Sequence, residues 1–387
     1  MTAPIPERTE FAFSLLSTCE STRARRGRIT TPHGPAETPA FMPVGTAGAV
    51  KGLTPDQVHA TGSEIVLGNT YHLTLRPGDD IVRDLGGLHE FMQWNGPILT
   101  DSGGYQVFSL GHLTDVDQDG VTFRSHIDGR YLRLSPERAM EIQLNLGADI
   151  VMVFDECLPH DASYDQVQRS LHGRTLPWGD RCLAHHPRDG RAMFAIGQGG
   201  LFADLRREHL EVLREQPFDG FAIGGLSVGE TSGAFRDMIS TSTDLMPADR
   251  PRYLMGVGSV PEIVDAVALG VDMFDCVLPS RNARSGQSLR FDGNLRLKNS
   301  RFLRDSRILD DTCPCATCRG GFSRAYLRHL VMAKERLAAT LLTLHNLTFM
   351  QRLMRRMRTA IELERFGAWR EETLATWGDG RAGEAER

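Results

Sequence analysis

The chain has 387 residues, 41% hydrophobic and 24% charged, with 44 Lys+Arg against 49 Asp+Glu for a net charge of -5. That composition excludes a disordered or fibrous chain and fits a soluble protein of one large domain or two to three ordinary ones. No apolar run approaches the ~18 residues of a membrane span, Met1 to Glu10 lacks the apolar core of a secretory signal, and the slight overall acidity argues against a nucleic-acid partner.

Short β-rich runs alternate with amphipathic helical patterns along most of the chain. The predicted strands are Phe41–Val44, Ile65–Leu67, Ile98–Thr100, Ile150–Phe154, Met193–Ile196, Gly220–Ile223, Tyr253–Gly256 and Met273–Asp275. Helical patterns at Thr54–Thr61, Pro136–Leu146, Ser163–His185, Leu201–Glu215 and Pro261–Leu269 lie between them. Eight such units over about 240 residues predict an α/β fold, a (β/α)8 TIM barrel over residues 38–299. Residues 1–37 read as an N-terminal segment packing on this barrel. An open doubly wound sheet is the competing architecture; no G-x-G-x-x-G fingerprint follows the first strand to favour it. Residues 106–134 interrupt the pattern, and the alternation around Asp128-Gly129 predicts a small hairpin insertion rather than a helix. Residues 300–372, which hold Cys313, Cys315 and Cys318, read as a zinc-binding helical subdomain with closing helices, and 373–387 as a disordered tail.

Charge is unevenly spread along this order. Arg281 to Arg370 holds 19 Lys+Arg and 7 Asp+Glu, a net of +12, leaving 25 basic and 42 acidic residues elsewhere, a net of -17. Asymmetry of this size reopens the case for a polyanionic partner. The seven cysteines, an odd number, fit a reducing cytoplasm. Three of them make Cys313-Pro-Cys315-Ala-Thr-Cys318, which offers three thiolates from one turn to tetrahedral zinc. His345, expected at a helix end that packs back over this knuckle, is the best fourth ligand, with His329 competing. Such a closed site is structural, not catalytic.

The active face of a barrel lies at the strand C-termini. Asp101, Asp155 and Asp275 follow the third, fourth and eighth strands, so three carboxylates converge on one mouth, which is costly unless the site uses them. Paired carboxylates are the equipment of double displacement at a glycosidic bond. Gln198 offers donor and acceptor, and the Gly199-Gly200 and Gly224-Gly225 pairs offer unobstructed backbone N–H groups. With Asp155, these suit a purine-like edge, and Tyr105 and Met255 are placed to sandwich a flat base. The basic loop Arg281 to Arg284 after the eighth strand is placed to hold phosphates.

At these residues the sequence resembles bacterial tRNA-guanine transglycosylases (queuine tRNA-ribosyltransferases). The resemblance spans about Phe11 to Trp369. Its carriers are Pro39-Ala-Phe-Met-Pro-Val-Gly-Thr46, Gly68-Asn-Thr-Tyr-His-Leu73, Thr100-Asp-Ser-Gly-Gly-Tyr-Gln-Val-Phe108, Phe154-Asp-Glu-Cys157, Gly197-Gln-Gly-Gly200, Gly224-Gly-Leu-Ser-Val-Gly-Glu230 and Phe274-Asp-Cys-Val-Leu-Pro-Ser-Arg-Asn-Ala-Arg284. It implies exchange of guanine at the wobble position of tRNAs with G-U-N anticodons (those for Asp, Asn, His and Tyr) for the prequeuosine base, 7-aminomethyl-7-deazaguanine. Asp275 would be the nucleophile and Asp101 the general acid/base. Asp101, Ser102, Tyr105, Asp155, Cys157, Gln198, Gly224, Gly225, Leu226, Val228 and Met255 would bind the base, and Arg281 and Arg284 the RNA. Cys157 and Val228 resemble the subclass that takes the prequeuosine base rather than queuine. Cys313, Cys315, Cys318 and His345 match the family's structural zinc site. A cytoplasmic homodimer is implied, with Tyr326 and His329 at matching contact positions, although Phe322 and the longer Arg319–Gly321 stretch depart from the pattern there. The alternatives are a non-catalytic subunit of a heterodimeric transglycosylase, which would lack the nucleophile, and a zinc-dependent barrel hydrolase, for which His72 is the one obvious strand-adjacent histidine.

Overall fold

The computed structural model describes residues 10–109, 115–226 and 229–378. The segment expected to pack on the barrel is an antiparallel sheet of β1 (Ala12–Thr18), β2 (Arg25–Thr31) and β3 (Gly34–Thr38), with β2 in the middle. Alternate residues of β2 point inward, Ile29 fully buried among them, as the period-two geometry of a strand requires. Arg25 fastens this sheet to the barrel through a buried ion pair with Asp272, Nη2 to Oδ2 2.8 Å.

The barrel strands are β4 (Ala40–Met42), β5 (Val44–Gly45), β6 (Val66–Gly68) and β7 (Ile98–Thr100), followed, after an insertion of β8 (Asp115–Asp117), β9 (Gly120–Arg124) and β10 (Tyr131–Leu134), by β11 (Ile150–Met152), β12 (Ala192–Gly197), β13 (Gly220–Ile223), β14 (Arg252–Leu254) and β15 (Met273–Asp275). All neighbours in the ring are parallel, in the order β4-β15-β14-β13-β12-β11-β7-β6-β5. The expected single first strand, Phe41–Val44, is split. Pro43 has no N–H for the ladder, so β4 pairs with β15 and β5 with β6 on either side of it, while the Pro43 carbonyl still accepts Leu67 N–H at 3.0 Å. The two pieces act as one strand position and close an eight-position barrel. Its strands are apolar and buried on both faces, which is why they read as short continuous runs.

Four expectations about the elements are corrected. The insertion begins helically, with Gly104–Ser109 a helix, and continues as a three-stranded antiparallel sheet, β10-β9-β8, rather than one hairpin. The helix expected over Ser163–His185 holds a π-helical turn at Leu171–Thr175, where Pro177 cannot donate to the preceding turn. His345 is not at a helix end but inside the 27-residue helix Arg336–Glu362. The last helix, Phe366–Trp377, runs past residue 372, and Trp377 packs its ring 5.8 Å from that of Phe349. No helix among the described residues is long and apolar enough to cross a membrane.

Candidate active site and metal centre

The strand C-termini bring Asp101, Asp155 and Asp275 to one rim, at the ends of β7, β11 and β15. Asp101 is buried and saturated with donors. Thr70 N–H reaches Oδ1 at 2.8 Å, Gln106 Nε2 reaches Oδ2 at 3.2 Å, and Asn69 Nδ2 also donates to Oδ2. Burial nonetheless pushes its carboxyl up to about 7, with the negative charge of Asp275 adding to the effect. Asp275 is treated differently. Tyr253 Oη and Gly256 N–H both donate to Oδ1, at 2.5 and 2.7 Å, leaving Oδ2 without a protein donor among the described residues. Burial raises its pKa as well, against those two hydrogen bonds.

Asp155 lies deeper. Gln198 Nε2 donates to Oδ2 at 2.7 Å and Ser102 Oγ to Oδ1 at 3.4 Å, and burial pushes the carboxyl up to about 6. The Cys157 thiol sits against Gln198 and the Gly225 backbone, and burial, helped by Asp155, pushes it up to about 12, so it is a neutral wall of the pocket. Two glycines are there for room. A Cβ at Gly224 would stand 2.5 Å from Gln198 Nε2, and one at Gly225 2.6 Å from Gln198 Oε1. Leu226 is buried beside them. Tyr105 is 54% exposed on its short helix, and Met255 is half-buried next to Gly256. Arg281 and Arg284 are exposed on the helix Leu278–Arg284 that follows the nucleophile candidate. Val228 lies outside the described residues.

Four residues of the site had no role in the sequence reading. Tyr253 and Asn69 hold the two carboxyls already described. Arg206, fully buried, donates to the Gly197, Gly200 and Gly224 carbonyls at 3.1, 2.8 and 3.2 Å and so ties the loops after β12 and β13 together. A Cβ at Gly199 would meet the Arg206 backbone at 2.6 Å, which explains that glycine. His209 accepts the Gln198 N–H through Nδ1 at 2.9 Å, and burial pushes it down to about 4, keeping it neutral. An arginine and a histidine on the apolar face of the helix Ala203–Arg214 are the signal that was there to be read.

In the C-terminal region, Cys313, Cys315, Cys318 and His345 are all buried, with ligand atoms within 4.8 Å of one another. His345 Nδ1 lies 3.3 Å from Cys318 Sγ and 3.7 Å from Cys315 Sγ. Tetrahedral zinc bond lengths of ~2.1–2.3 Å imply ligand separations of about 3.5–3.8 Å. The donor set therefore fits such an ion. The other ring nitrogen of His345, Nε2, lies 2.8 Å from the Leu289 carbonyl, an acceptor that fixes the tautomer and leaves Nδ1 free to ligate. The competing His329 is exposed on the helix Arg324–Met332 and outside the cluster.

A family model described as queuine tRNA-ribosyltransferase matches residues 19–379. Proteins named queuine tRNA-ribosyltransferase are similar along nearly the whole length. The one from Solidesulfovibrio magneticus is 53% identical over 359 residues, covering 92% of this chain and 96% of that protein. The one from Bacillus subtilis is 49% identical over 367 residues, covering 95% and 96%, and that from Psychrobacter cryohalolentis 53% over 352 residues, covering 89% and 91%. The chain therefore belongs to the queuine tRNA-ribosyltransferase family, whose members are tRNA-guanine transglycosylases, a class of glycosyltransferase.

Proposed function

We propose that the protein exchanges guanine at the wobble position of G-U-N-anticodon tRNAs (Asp, Asn, His, Tyr) for the prequeuosine base, in queuosine biosynthesis, through a covalent ribosyl-Asp275 intermediate. The observation that carries this reading is the unequal setting of two carboxyls at one mouth. Asp275 has one oxygen clamped by Tyr253 and Gly256 and the other open, whereas Asp101 is held near neutrality by burial. Asp275 Oδ2 attacks ribose C1′ as the bond to guanine N9 breaks, and Asp101 supplies the proton that leaves with guanine. The incoming base then returns a proton from N9 to Asp101 as N9 attacks C1′ and releases Asp275. Two inversions give net retention, and a carboxyl near 7 suits a group that must act first as acid and then as base.

Asp155, Gln198, Ser102, the Gly225 amide and the Leu226 carbonyl would read the base edge, with Gly224 leaving room beside Gln198. Tyr105 and Met255 would stack on its faces, and Cys157 with Val228 would bound the substituent. The wobble nucleotide enters flipped out, since the acids stand inside the rim, with Arg281 and Arg284 on the neighbouring backbone. Zinc held by Cys313, Cys315, Cys318 and His345 would supply folding energy and no chemistry. A cytoplasmic homodimer using the face around Phe322 and Tyr326, whose rings lie 5.9 Å apart and nearly parallel, completes the reading. The test is radiolabelled guanine exchange into tRNA. The prequeuosine base should compete and queuine should compete poorly. Asp275→Asn should abolish covalent trapping of tRNA, and full exchange by Asp275→Ala would sink the mechanism. Presence of Asp275 already counts against the non-catalytic-subunit alternative.

A further inference from the structure

Three side chains from distant stretches of sequence meet beneath the barrel, at the end opposite Asp101 and Asp275. His33 sits in the turn joining β2 to β3, His89 lies on the helix Gly87–Met92, and Asp149 immediately precedes β11. His33 Nδ1 is 2.7 Å from Asp149 Oδ1, and His89 Nε2 is 3.2 Å from Oδ2. One ligand atom from each residue falls within 4.8 Å of the other two.

Hydrogen bonding accounts for the His33 leg of the cluster, Nδ1 to Asp149 Oδ1, but not for the His89 leg. The Asp149 side chain is 1% exposed and already accepts the Ile98 N–H at 2.8 Å. His89 Nε2 is buried and makes no hydrogen bond of acceptable geometry among the described residues. The two imidazoles are stacked, with centroids 3.5 Å apart and planes 14° from parallel.

We propose that His33, His89 and Asp149 form a second divalent-metal site, distinct from the Cys3His cluster, which takes Zn2+, Co2+ or Ni2+. Two imidazole nitrogens and one carboxylate oxygen are the donors those ions select over Mg2+ or Ca2+. The site is open, because the His33 side chain is 40% exposed and leaves the remaining positions to water. The movement required is a rotation of the His33 ring off the stack, which its place in an exposed turn allows. A bound ion would pin the N-terminal sheet, which contributes His33, to the underside of the barrel, which contributes the other two ligands.

The test uses untagged protein with its Cys3His cluster loaded with zinc, dialysed to equilibrium against Co2+ and, separately, Zn2+, with metal counted per chain. The expected result is two ions per chain in the wild type and one in His33→Ala and in His89→Ala. The second equivalent of Co2+ should lack the thiolate-to-cobalt charge-transfer band that a Cys3His site gives. Added Zn2+ should raise the melting temperature of the wild type and leave that of His33→Ala unmoved. Guanine exchange by His33→Ala should stay at the wild-type rate, since the reacting groups lie at the other end of the barrel. A wild type that saturates at one ion, or a second ion retained by both histidine variants, would overturn the proposal.

Discussion

Arg206→Met tests whether the loops proposed to bind the base are held by one buried guanidinium. The substitution preserves most of the apolar stem and removes three hydrogen bonds. The Gly197 carbonyl keeps a partner, the Gly224 N–H at 3.1 Å, so the Gly200 and Gly224 carbonyls are the two left short. At about 1–3 kcal/mol for each unsatisfied buried acceptor, the loss is about 2–6 kcal/mol. Against it stands the strain of keeping the guanidinium charged, which burial depresses from 12.5 to about 10. That shift corresponds to about 3 kcal/mol returned when the charge is removed. The attraction to Glu230 is already included in that net shift. The net lies between about 1 kcal/mol of stabilisation and about 3 kcal/mol of destabilisation, read from the urea midpoint at unchanged slope, so the base KM is the sharper readout. Because the freed loops carry Gln198, Gly224 and Gly225, the KM for the base should rise about tenfold, the equivalent of one lost contact of ~1.4 kcal/mol. Arg206→Lys should fall between, since one ammonium cannot span the three carbonyls. An Arg206→Met protein with a wild-type base KM would refute the reasoning.

Asp155→Asn keeps both hydrogen bonds, because its amide oxygen can accept from Gln198 and its amide nitrogen can donate to Ser102 Oγ. The native carboxyl is raised from 3.8 to about 6, so between those values the folded state holds more protons than the unfolded one, and stability falls as pH rises. The variant should therefore be more stable than wild type by up to about 3 kcal/mol at pH 8, with the gain vanishing by about pH 3, below the unfolded value, while base exchange is lost. Equal unfolding free energies for the two proteins at pH 8 would contradict this. Asp101→Asn should lower the exchange rate by about 10²–10⁴-fold and remove the limb of the pH–rate profile near 7, in single-turnover assays. Cys315→Ser should lose the ion of the Cys3His cluster, seen by metal analysis, and melt at lower temperature. A zinc-free variant with the wild-type melting temperature would remove that ion from the folding account.

The barrel was legible because its strands are buried on both faces and so appear as short apolar runs, and the three acids were legible because each follows such a run directly. What could not be read depends on contacts between distant segments. Nothing local marks Tyr253 as the donor to Asp275, or separates Arg206 from the surface arginines of the same helix. His345 was identified by residue type, yet its surroundings were misjudged. Leu341 to Met350 is buried on every side, between the Cys3His cluster and the barrel, so the histidine lies inside one continuous helix. Pro43 shows the converse case, a visible breaker whose effect, two half-strands pairing with opposite neighbours, follows only from the closed ring.

Charge distribution raised the possibility of a polyanion partner, and the structure narrows which charges are available to it. Much of the +12 between Arg281 and Arg370 is already engaged. Arg358 donates to the Glu37 and Pro39 carbonyls. Arg324 donates to those of Ile308 and Leu309. Arg307 pairs with Asp305 and Arg352 with Asp310, and Arg356 lies 3.5 Å over the Phe291 ring. Arg281 and Arg284 make no ion pair among the described residues and stand beside the rim. RNA affinity should accordingly respond to salt as for a few phosphate contacts, not twelve. Each lost contact reduces the slope of log K against log salt by about 0.7–0.9. Removing both Arg281 and Arg284 as alanines should thus flatten the tRNA-binding slope by about 1.4–1.8. Arg307→Ala, exposed but paired, should leave it unchanged. A double variant with the wild-type slope would show that the RNA lies elsewhere on the basic segment.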